Sequence, residues 1–407
     1  MQNSRLPREL ALQIIKEKHS LLPAIMEEKN VPCWLVFVRE TAIQGDPVFD
    51  VLVGGDVVWE SAFVFSVTAE GLLRKTAIVG NFDVDAEKEK GLWDEVLGYT
   101  QGISEVLRTC LDQINPAQIA LNYATDDPVS DGLSHGMFLR LSAMLPHLTD
   151  RFVSAKPLVH SLRGRKTQTE LKLVEQACEL AEQINVTVTA QLRVGLSEKA
   201  IQEWYYDQMD EHEVEEAWQR NSCPAVDAGP DKSFGHVGPT EEHKTKKGHS
   251  LHNDFGVRWQ GYCSDLQRMW FFGKPEVLPD ELRHAFDTVK TAIRRAAAFV
   301  KPGVTGEEVD NIARSYVVEQ GYEEYQHALG HQVGRYAHDG GVLLGPTWER
   351  YGDVIKGKVE EGNVFTLELY VKTKNYGMVS LEEMIVVTKD GCEFIVPPVE
   401  DWIYITN

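Results

Sequence analysis

Asp254 and Asp265 stand in a stretch, residues 251–272 (LHNDFGVRWQGYCSDLQRMWFF), that reads as a β-hairpin with one aspartate on each arm. Alternating β-branched and aromatic residues mark both arms, and Arg258, Trp259, Gln260 and Gly261 interrupt them as a short turn. With Trp259 and Gln260 as the two-residue loop, Asp254 and Asp265 face each other directly. Opposed Cβ atoms lie roughly 5 Å apart, and like charges there destabilise the pair. A positive group between the carboxylates would relieve that repulsion. The ordinary alternative is two solvated aspartates on an exposed hairpin. Leu251, Phe255, Val257, Tyr262, Met269 and Trp270 argue against it, since residues of these types flank a half-buried strand pair.

A second acidic pair follows the same pattern. Residues 364–371 alternate, Lys374, Asn375, Tyr376 and Gly377 turn, and residues 378–388 return. Glu368 and Glu382 occupy inward positions among Phe365, Leu367, Leu369, Leu381, Met384 and Ile385, where an unpaired carboxylate is costly. Either an arginine satisfies such a glutamate or it serves a site. Glu361 and Glu383 are expected to be solvated. Between the hairpins come His327, His331 and His338, at intervals of four and seven, with Asp339 and the glycines 330, 334, 340 and 341. That backbone can bring imidazoles close to a site, and imidazole is both the commonest metal ligand and the usual acid or base near neutral pH. Three histidines beside four half-buried carboxylates point to chemistry rather than to structure.

The elements that must position these residues form a duplicated unit. Helices are expected from Thr167, with Glu170 at capping-box spacing, to an end at Gly195, and over 197–211 with Ser197 as N-cap. A second pair is expected over 279–300 and 306–320. The strings VGLSEKAIQEW and PGVTGEEVDNI lie 108 residues apart, each after a long helix and each followed by a hairpin. Duplication of helix, helix, hairpin accounts for this, and would set the hairpins back to back about a pseudo-twofold axis with a shared site between them. Chance similarity of two amphipathic helices is the competing account. Ahead of this unit, residues 8–29 read as a helix, 33–38 (CWLVFV) as a strand covered on both faces, 57–67, 75–79 and 118–121 as strands, and 92–111 and 133–145 as helices. Such alternation means an α/β domain with a mixed sheet. The basic stretch 161–167 (SLRGRKT) marks the boundary, giving an N-terminal domain over 1–160 and a catalytic domain over 161–407. His135, His147 and His160 are isolated and carry no constellation.

Composition sets limits on function. With 407 residues and 43% hydrophobic content the chain can bury a large core, and its length favours two domains. A formal charge of -21 repels phosphate backbones and anionic membrane surfaces, so neither nucleic acid nor membrane is expected as a partner. The six cysteines are scattered without a CxxC pair and read as free thiols of a reducing compartment. No signal-peptide apolar region opens the chain and no apolar run is long enough to span a membrane, which suggests a cytoplasmic protein.

Taken together these residues resemble the pita-bread metallopeptidase family, which includes methionine aminopeptidase, aminopeptidase P, prolidase and the metal-free creatinase. Asp254, Asp265, His331, Glu368 and Glu382 match its five metal ligands, and the HxxGHxxGxxxHD string from His327 to Asp339 is similar to the aminopeptidase P and prolidase version. The likeness covers about residues 160 to 405, and the preceding part is similar in size and position to the N-terminal domain of creatinase and prolidase. It implies an α/β N-terminal domain followed by an α+β pita-bread domain with an internal pseudo-twofold duplication. It also implies two divalent ions, for which Mn, Co, Fe and Zn all suit an oxygen-rich site. Asp265 and Glu382 would bridge them, Asp254 would bind one, and His331 with Glu368 the other. Glu368 would accept the proton of the attacking water, His236 and His338 would stabilise the intermediate or leaving group, and His327 would orient substrate. His236 (in SFGHVG) matches a family histidine that contacts substrate, with His243 and His249 as nearby competitors. The resemblance implies a homodimer and release of an N-terminal residue, as from Xaa-Pro peptides.

Three positions depart from the family pattern. Ser380 stands where prolidase and aminopeptidase P usually carry arginine, Leu369 and Tyr370 replace the residues that usually follow the first glutamate, and Gln267 takes the place of a threonine. A small non-peptide substrate, acted on by a metal-dependent hydrolase or lyase, is therefore an alternative to a short peptide. A catalytically inactive binding module is a third reading, against which the complete ligand set counts.

Overall fold

The apolar run CWLVFV folds as β1 (Cys33–Val38), buried along its whole length as a strand covered on both faces must be. Around it lie β2 (Ser61–Val67), β3 (Leu73–Gly80), β4 (Glu95–Tyr99), β5 (Ile119–Leu121) and β6 (Phe152–Ser154), in the order β4-β3-β2-β1-β5-β6. The β1–β2 and β2–β3 junctions are antiparallel and the others parallel, a mixed sheet. Alternation along β1 divides the core. Trp34 and Val36 pack with Phe63, Phe65, Leu22 and Leu158, while Leu35 and Phe37 pack with Val64, Leu107 and Leu141. The helices of this unit are α1 (Arg8–Glu28), α2 (Phe49–Leu52), α3 (Val84–Lys90), α4 (Ser104–Ile114), α5 (His135–Met144) and α6 (Lys156–Gly164).

In this computed structural model the described residues are 2–68, 70–230 and 238–406. The chain divides into two compact units, Pro7–Thr167 and Gln168–Asn407, the latter with Met1–Leu6. Two expectations need correction here. The helix expected over 92–111 is strand β4 followed by α4, because Gly98 and Gly102 interrupt the helical spacing. Residues 161–164 are the last turn of α6 rather than a linker, and Lys18 Nζ donates to the carbonyls of Leu162 (2.7 Å) and Arg165 (2.8 Å). Those bonds hold the segment in the first unit, so the division falls seven residues later than 160/161.

The second unit carries α7 (Gln168–Thr189), α8 (Glu198–Glu211), β7 (Glu215–Glu216), β8 (Ala225–Ala228), β9 (Ser250–Phe255), β10 (Val257–Trp259), β11 (Tyr262–Cys263) and β12 (Leu266–Phe272). It continues with α9 (Asp280–Phe299), α10 (Gly306–Glu319), β13 (Val364–Lys372), β14 (Met378–Val387), β15 (Cys392–Phe394) and β16 (Ile403–Ile405). The main sheet runs β13-β14-β12-β9-β8, with β15 on β14 and β16 on β12. Repetition is visible atom by atom. Gly195 and Gly303 both adopt a left-handed φ, +94° and +96°, and donate to the carbonyls of Thr245 and Val359. Thr245 and Val359 donate in turn to Leu196 and Val304, and Ser197 and Thr305 then cap α8 and α10. The hairpins lie edge to edge in one sheet, joined where β12 meets β14, rather than back to back. Among the described residues no helix is long and apolar enough to cross a membrane.

The first hairpin turns one residue later than the spacing suggests. Gln260 and Gly261 form its loop, with φ of +44° and +82°, as a two-residue turn of the hairpin-favouring hand requires. Asp254 therefore stands opposite Gln267, and Asp265 sits diagonally from it. A shift of two in the pairing leaves side-chain parity intact, so both carboxylates remain on one face. On the other face, the buried Arg268 donates to the carbonyls of Gln267 (2.8 Å) and Glu382 (2.9 Å) and pairs with Glu182 and Glu383. It joins the two hairpins from behind. Glu383 is accordingly buried and ion-paired, not solvated, because it alternates with Glu382 and points to the arginine side.

Candidate metal centre

One row of side chains crosses the sheet from strand to strand. Ala225 pairs with Asp254, Asp254 with Gln267, Gln267 with Glu382, and Glu382 with Glu368. Directly paired residues share a face, so three carboxylates and one amide project together, and Asp265 joins them two residues from Gln267. They line a cavity of about 1160 Å³ that also takes in His327, His331, His338, Asp227, His252 and Ser380. Hairpin pairing has thus collected residues separated by more than a hundred positions in the chain.

His331 reaches the row from a loop that runs beside β13. Thr366 N donates to the His331 carbonyl (3.0 Å), His331 N to Thr366 Oγ1 (3.1 Å), and Glu368 N to the Leu329 carbonyl (2.7 Å). From α10 a buried pair secures the same loop: Arg314 donates to the carbonyls of Tyr325 (2.7 Å) and His327 (2.8 Å), and Leu329 N donates to Asp310 Oδ1 (3.1 Å). The Nδ1 edge of His331 faces the Gln332 carbonyl (3.4 Å), which leaves Nε2 3.5 Å from Glu368 Oε1 and 3.7 Å from Asp265 Oδ2. A backbone carbonyl at one ring nitrogen with carboxylates at the other is the usual setting of a metal-ligating imidazole.

Gly330 permits this approach. A Cβ built there would lie 1.9 Å from the carbonyl oxygen of Thr366, a backbone atom that cannot turn aside. Gly330→Ala is therefore expected to push His331 away from Glu368 and weaken metal affinity by roughly 10- to 100-fold, as when the support of a ligand is lost. Titration of chelator-treated protein with Mn would check this, and unchanged affinity would refute the positioning role of the loop.

The electrostatics call for a cation. Burial raises all four carboxyls, Asp254 to about 6 with Asp227 adding to the rise, and Glu368 to about 8 with Asp254 adding to it. Asp265 and Glu382 are held well above the usual carboxylate range, by burial first and then by the neighbouring carboxylates. His331 is pushed down to about 3 by burial and by His338, whose ring meets it edge-on at 4.3 Å. Among the described residues, Asp254 Oδ1 and Glu382 Oε2 are buried without a hydrogen-bond partner. Ligand atoms of Asp265, His331 and Glu382 all lie within 4.8 Å of one another. Orphaned carboxylate oxygens beside a neutral imidazole fit a divalent cation, which would supply the missing positive charge.

The remaining candidates fall into three groups. His327 and His338 line the cavity, His327 with Nδ1 2.7 Å from the Ala328 carbonyl and its ring 5.4 Å from that of Tyr370. His243 is drawn elsewhere, to Thr240 and Glu198, and His249 lies beside Gly229. His236 falls outside the described residues. Sequence reasoning missed His252 and Asp227 as members of the site, although His252 stands two residues from Asp254, a signal of shared face in a strand, whereas Gln267, singled out as a departure from the family pattern, does line the cavity.

Residues 172–389 match metallopeptidase family M24. The Xaa-Pro dipeptidase of Pyrococcus horikoshii is 28% identical over 247 residues, 59% of this chain and 64% of that protein. The Xaa-Pro dipeptidase of Lactobacillus delbrueckii is 27% identical over 307 residues, 75% and 78% of the two chains. The first of these matches spans just under two thirds of the relative's own length. In fold, the chain is similar to the X-Pro aminopeptidase of Thermotoga maritima (TM-score 0.67, 24% identity, 92% of this chain and 98% of that one). It is similar also to the Xaa-Pro dipeptidase of Bacillus anthracis (TM-score 0.70, 22% identity, 96% and 100%).

Proposed function

This chain belongs to metallopeptidase family M24, and from that premise we propose that it is a dinuclear metal-dependent peptidase releasing the N-terminal residue of short peptides, with proline next in line. The observation that carries this reading is the single cavity holding Asp254, Asp265, His331, Glu368 and Glu382, two of them with orphaned buried oxygens. Asp254, Asp265, His331, Glu368 and Glu382 would together hold the two ions. Two divalent ions so held would supply a water of lowered pKa and a Lewis acid for the substrate carbonyl. Glu368 accepts the proton of the attacking water through its carboxylate, which bound cations would keep deprotonated. His327 and His338, on the cavity wall, orient the peptide and stabilise charge on the reacting carbonyl or leaving amine.

The relatives named as Xaa-Pro dipeptidases favour a peptide substrate. Ser380, Leu369 and Tyr370, which depart from the family pattern and of which Ser380 and Tyr370 line the cavity, favour instead a small non-peptide substrate on the same scaffold. Metal analysis of protein purified without chelator, then a panel of Xaa-Pro dipeptides before and after chelation and Mn readdition, separates the two. Two metals per chain with chelator-sensitive cleavage is the expected result. Two metals without cleavage of any peptide would move the assignment to the small-molecule hydrolase or lyase. No metal uptake would sink both and leave a binding module.

A further inference from the structure

Gln267 occupies the centre of the carboxylate row, paired with Asp254 on one side and Glu382 on the other. A primary amide is nearly symmetric in shape, but its two ends are opposite in character. Toward a carboxylate the NH2 end attracts and the oxygen repels. Here the NH2 end donates to Glu368 Oε2 (3.3 Å), on the strand beyond Glu382, which stands directly across from Gln267 in the sheet. The oxygen end is held from behind. Ser380 Oγ donates to Gln267 Oε1 (2.5 Å) and lies 3.1 Å from the Leu369 carbonyl, while His252 Nε2 stands 3.0 Å from that same Oε1. His252 is itself anchored at Nδ1 by Asp227 Oδ2 (3.0 Å). All four residues are buried, Gln267 being 6% exposed and His252 and Asp227 5% each, so water competes poorly for these bonds.

We infer that Asp227, His252 and Ser380 form a positioning array that fixes the amide of Gln267 with its NH2 toward Glu368, and that Gln267 thereby holds Glu368 in ligating geometry beside Glu382 with a neutral donor. The array rests on the metal-centre reading. It explains how a neutral amide, rather than a guanidinium, serves as the donor to Glu368 within the row. Arg268, the buried guanidinium nearby, serves Glu383 and Glu182 on the opposite face. An arginine among the four ligand carboxylates would compete with the cations for the same oxygens, whereas an amide satisfies one lone pair and leaves the charge in place. Each member acts through Gln267 rather than on substrate.

Calorimetric Mn titration of the full chain tests this, using Gln267→Leu, His252→Leu, Ser380→Ala and the double variants. Gln267→Leu is expected to weaken Mn binding roughly 10- to 100-fold, the range seen when groups behind metal ligands are removed. His252→Leu should cost about tenfold and Ser380→Ala somewhat less. The decisive result is coupling: His252→Leu combined with Gln267→Leu should bind Mn within about twofold of Gln267→Leu alone, because the orienting residue has nothing left to orient. Multiplied losses, or a His252 variant that binds Mn like wild type, would overturn the array. Should His252→Leu fail to fold, the Ser380→Ala and Gln267→Leu pair supplies the same cycle with a smaller change. A wild type that takes up no Mn would overturn the metal reading and the array together, whereas a wild type that binds Mn beside independent variants overturns the array alone.

Discussion

Glu382→Gln is expected to lower turnover by at least ~10³-fold while making the metal-free protein more stable. Glu382 pairs with both Gln267 and Glu368 in the sheet and contributes a ligand atom to the cluster with Asp265 and His331. Electrophilic stabilisation by a bound cation is worth several kcal/mol, and each 1.36 kcal/mol is a factor of ten in rate, so loss of a carboxylate proposed to hold the cations would reach about three orders of magnitude. The stability effect has the opposite sign. Without a cation Glu382 is a buried carboxyl beside Asp265 and Glu368, with one oxygen unpartnered. Replacing it by an amide of the same shape removes like-charge repulsion, and a gain on the order of 1 to 2 kcal/mol is expected at pH 8. Chemical denaturation of chelator-treated wild type and variant measures that gain, and steady-state assays with Mn measure the loss. A variant less stable than the metal-free wild type would show that Glu382 is satisfied by the protein alone. Retained turnover would remove it from the centre.

Metal-free protein should lose stability as pH rises from about 6.5 to 8, on the order of 2 kcal/mol, and Mn should reverse that loss. A carboxyl whose folded pKa lies above its unfolded value binds protons better in the native state. Its contribution is fully present below the unfolded value, roughly 4, and disappears as pH rises through the folded one. For Asp254 that window ends at about 6 and for Glu368 at about 8, with Asp265 and Glu382 raised in the same direction. His331, lowered to about 3, acts oppositely: it favours the native state increasingly as pH rises from about 3 to its unfolded value near 6.5. The opposing effects overlap below pH 6.5, so the clean interval lies above it. Cations require deprotonated carboxylates, so Mn affinity climbs over the interval in which the metal-free protein weakens. Melting temperatures with and without Mn should therefore diverge from pH 6.5 to 8, and Glu368→Gln should flatten the metal-free slope. A metal-free stability that is level or rising across this interval would mean that the carboxylates are neutralised by some other group.

Much of this architecture is local and therefore legible in the residues. The continuous apolar run of β1, the alternation of β13 and β14, and the helices begun by Ser197 and Thr305 follow from spacing and capping, which neighbouring residues decide among themselves. The acids at inward positions and the glycine-punctuated histidines carry the signal of a site for the same reason, since a strand's faces and a glycine's freedom are properties of the chain. The duplication at 108 residues was visible too, and the matched turns at Gly195 and Gly303 give it a geometric basis.

What the tertiary structure decided was pairing across distance. Turn geometry placed the loop at Gln260 and Gly261, so that Gln267 rather than Asp265 stands opposite Asp254. Docking of one hairpin against the other set Gln267 beside Glu382, and no property of either segment announces its partner. Strand alternation then sent the adjacent glutamates to opposite fates. Glu383 meets the buried Arg268, while Glu382 joins the carboxylates with an oxygen left over. The individual candidate residues belong to the sequence, because side-chain chemistry and spacing are written along the chain. The charge imbalance that calls for a cation, and the amide array that steadies it, exist only once long-range pairing has excluded water and brought like charges together.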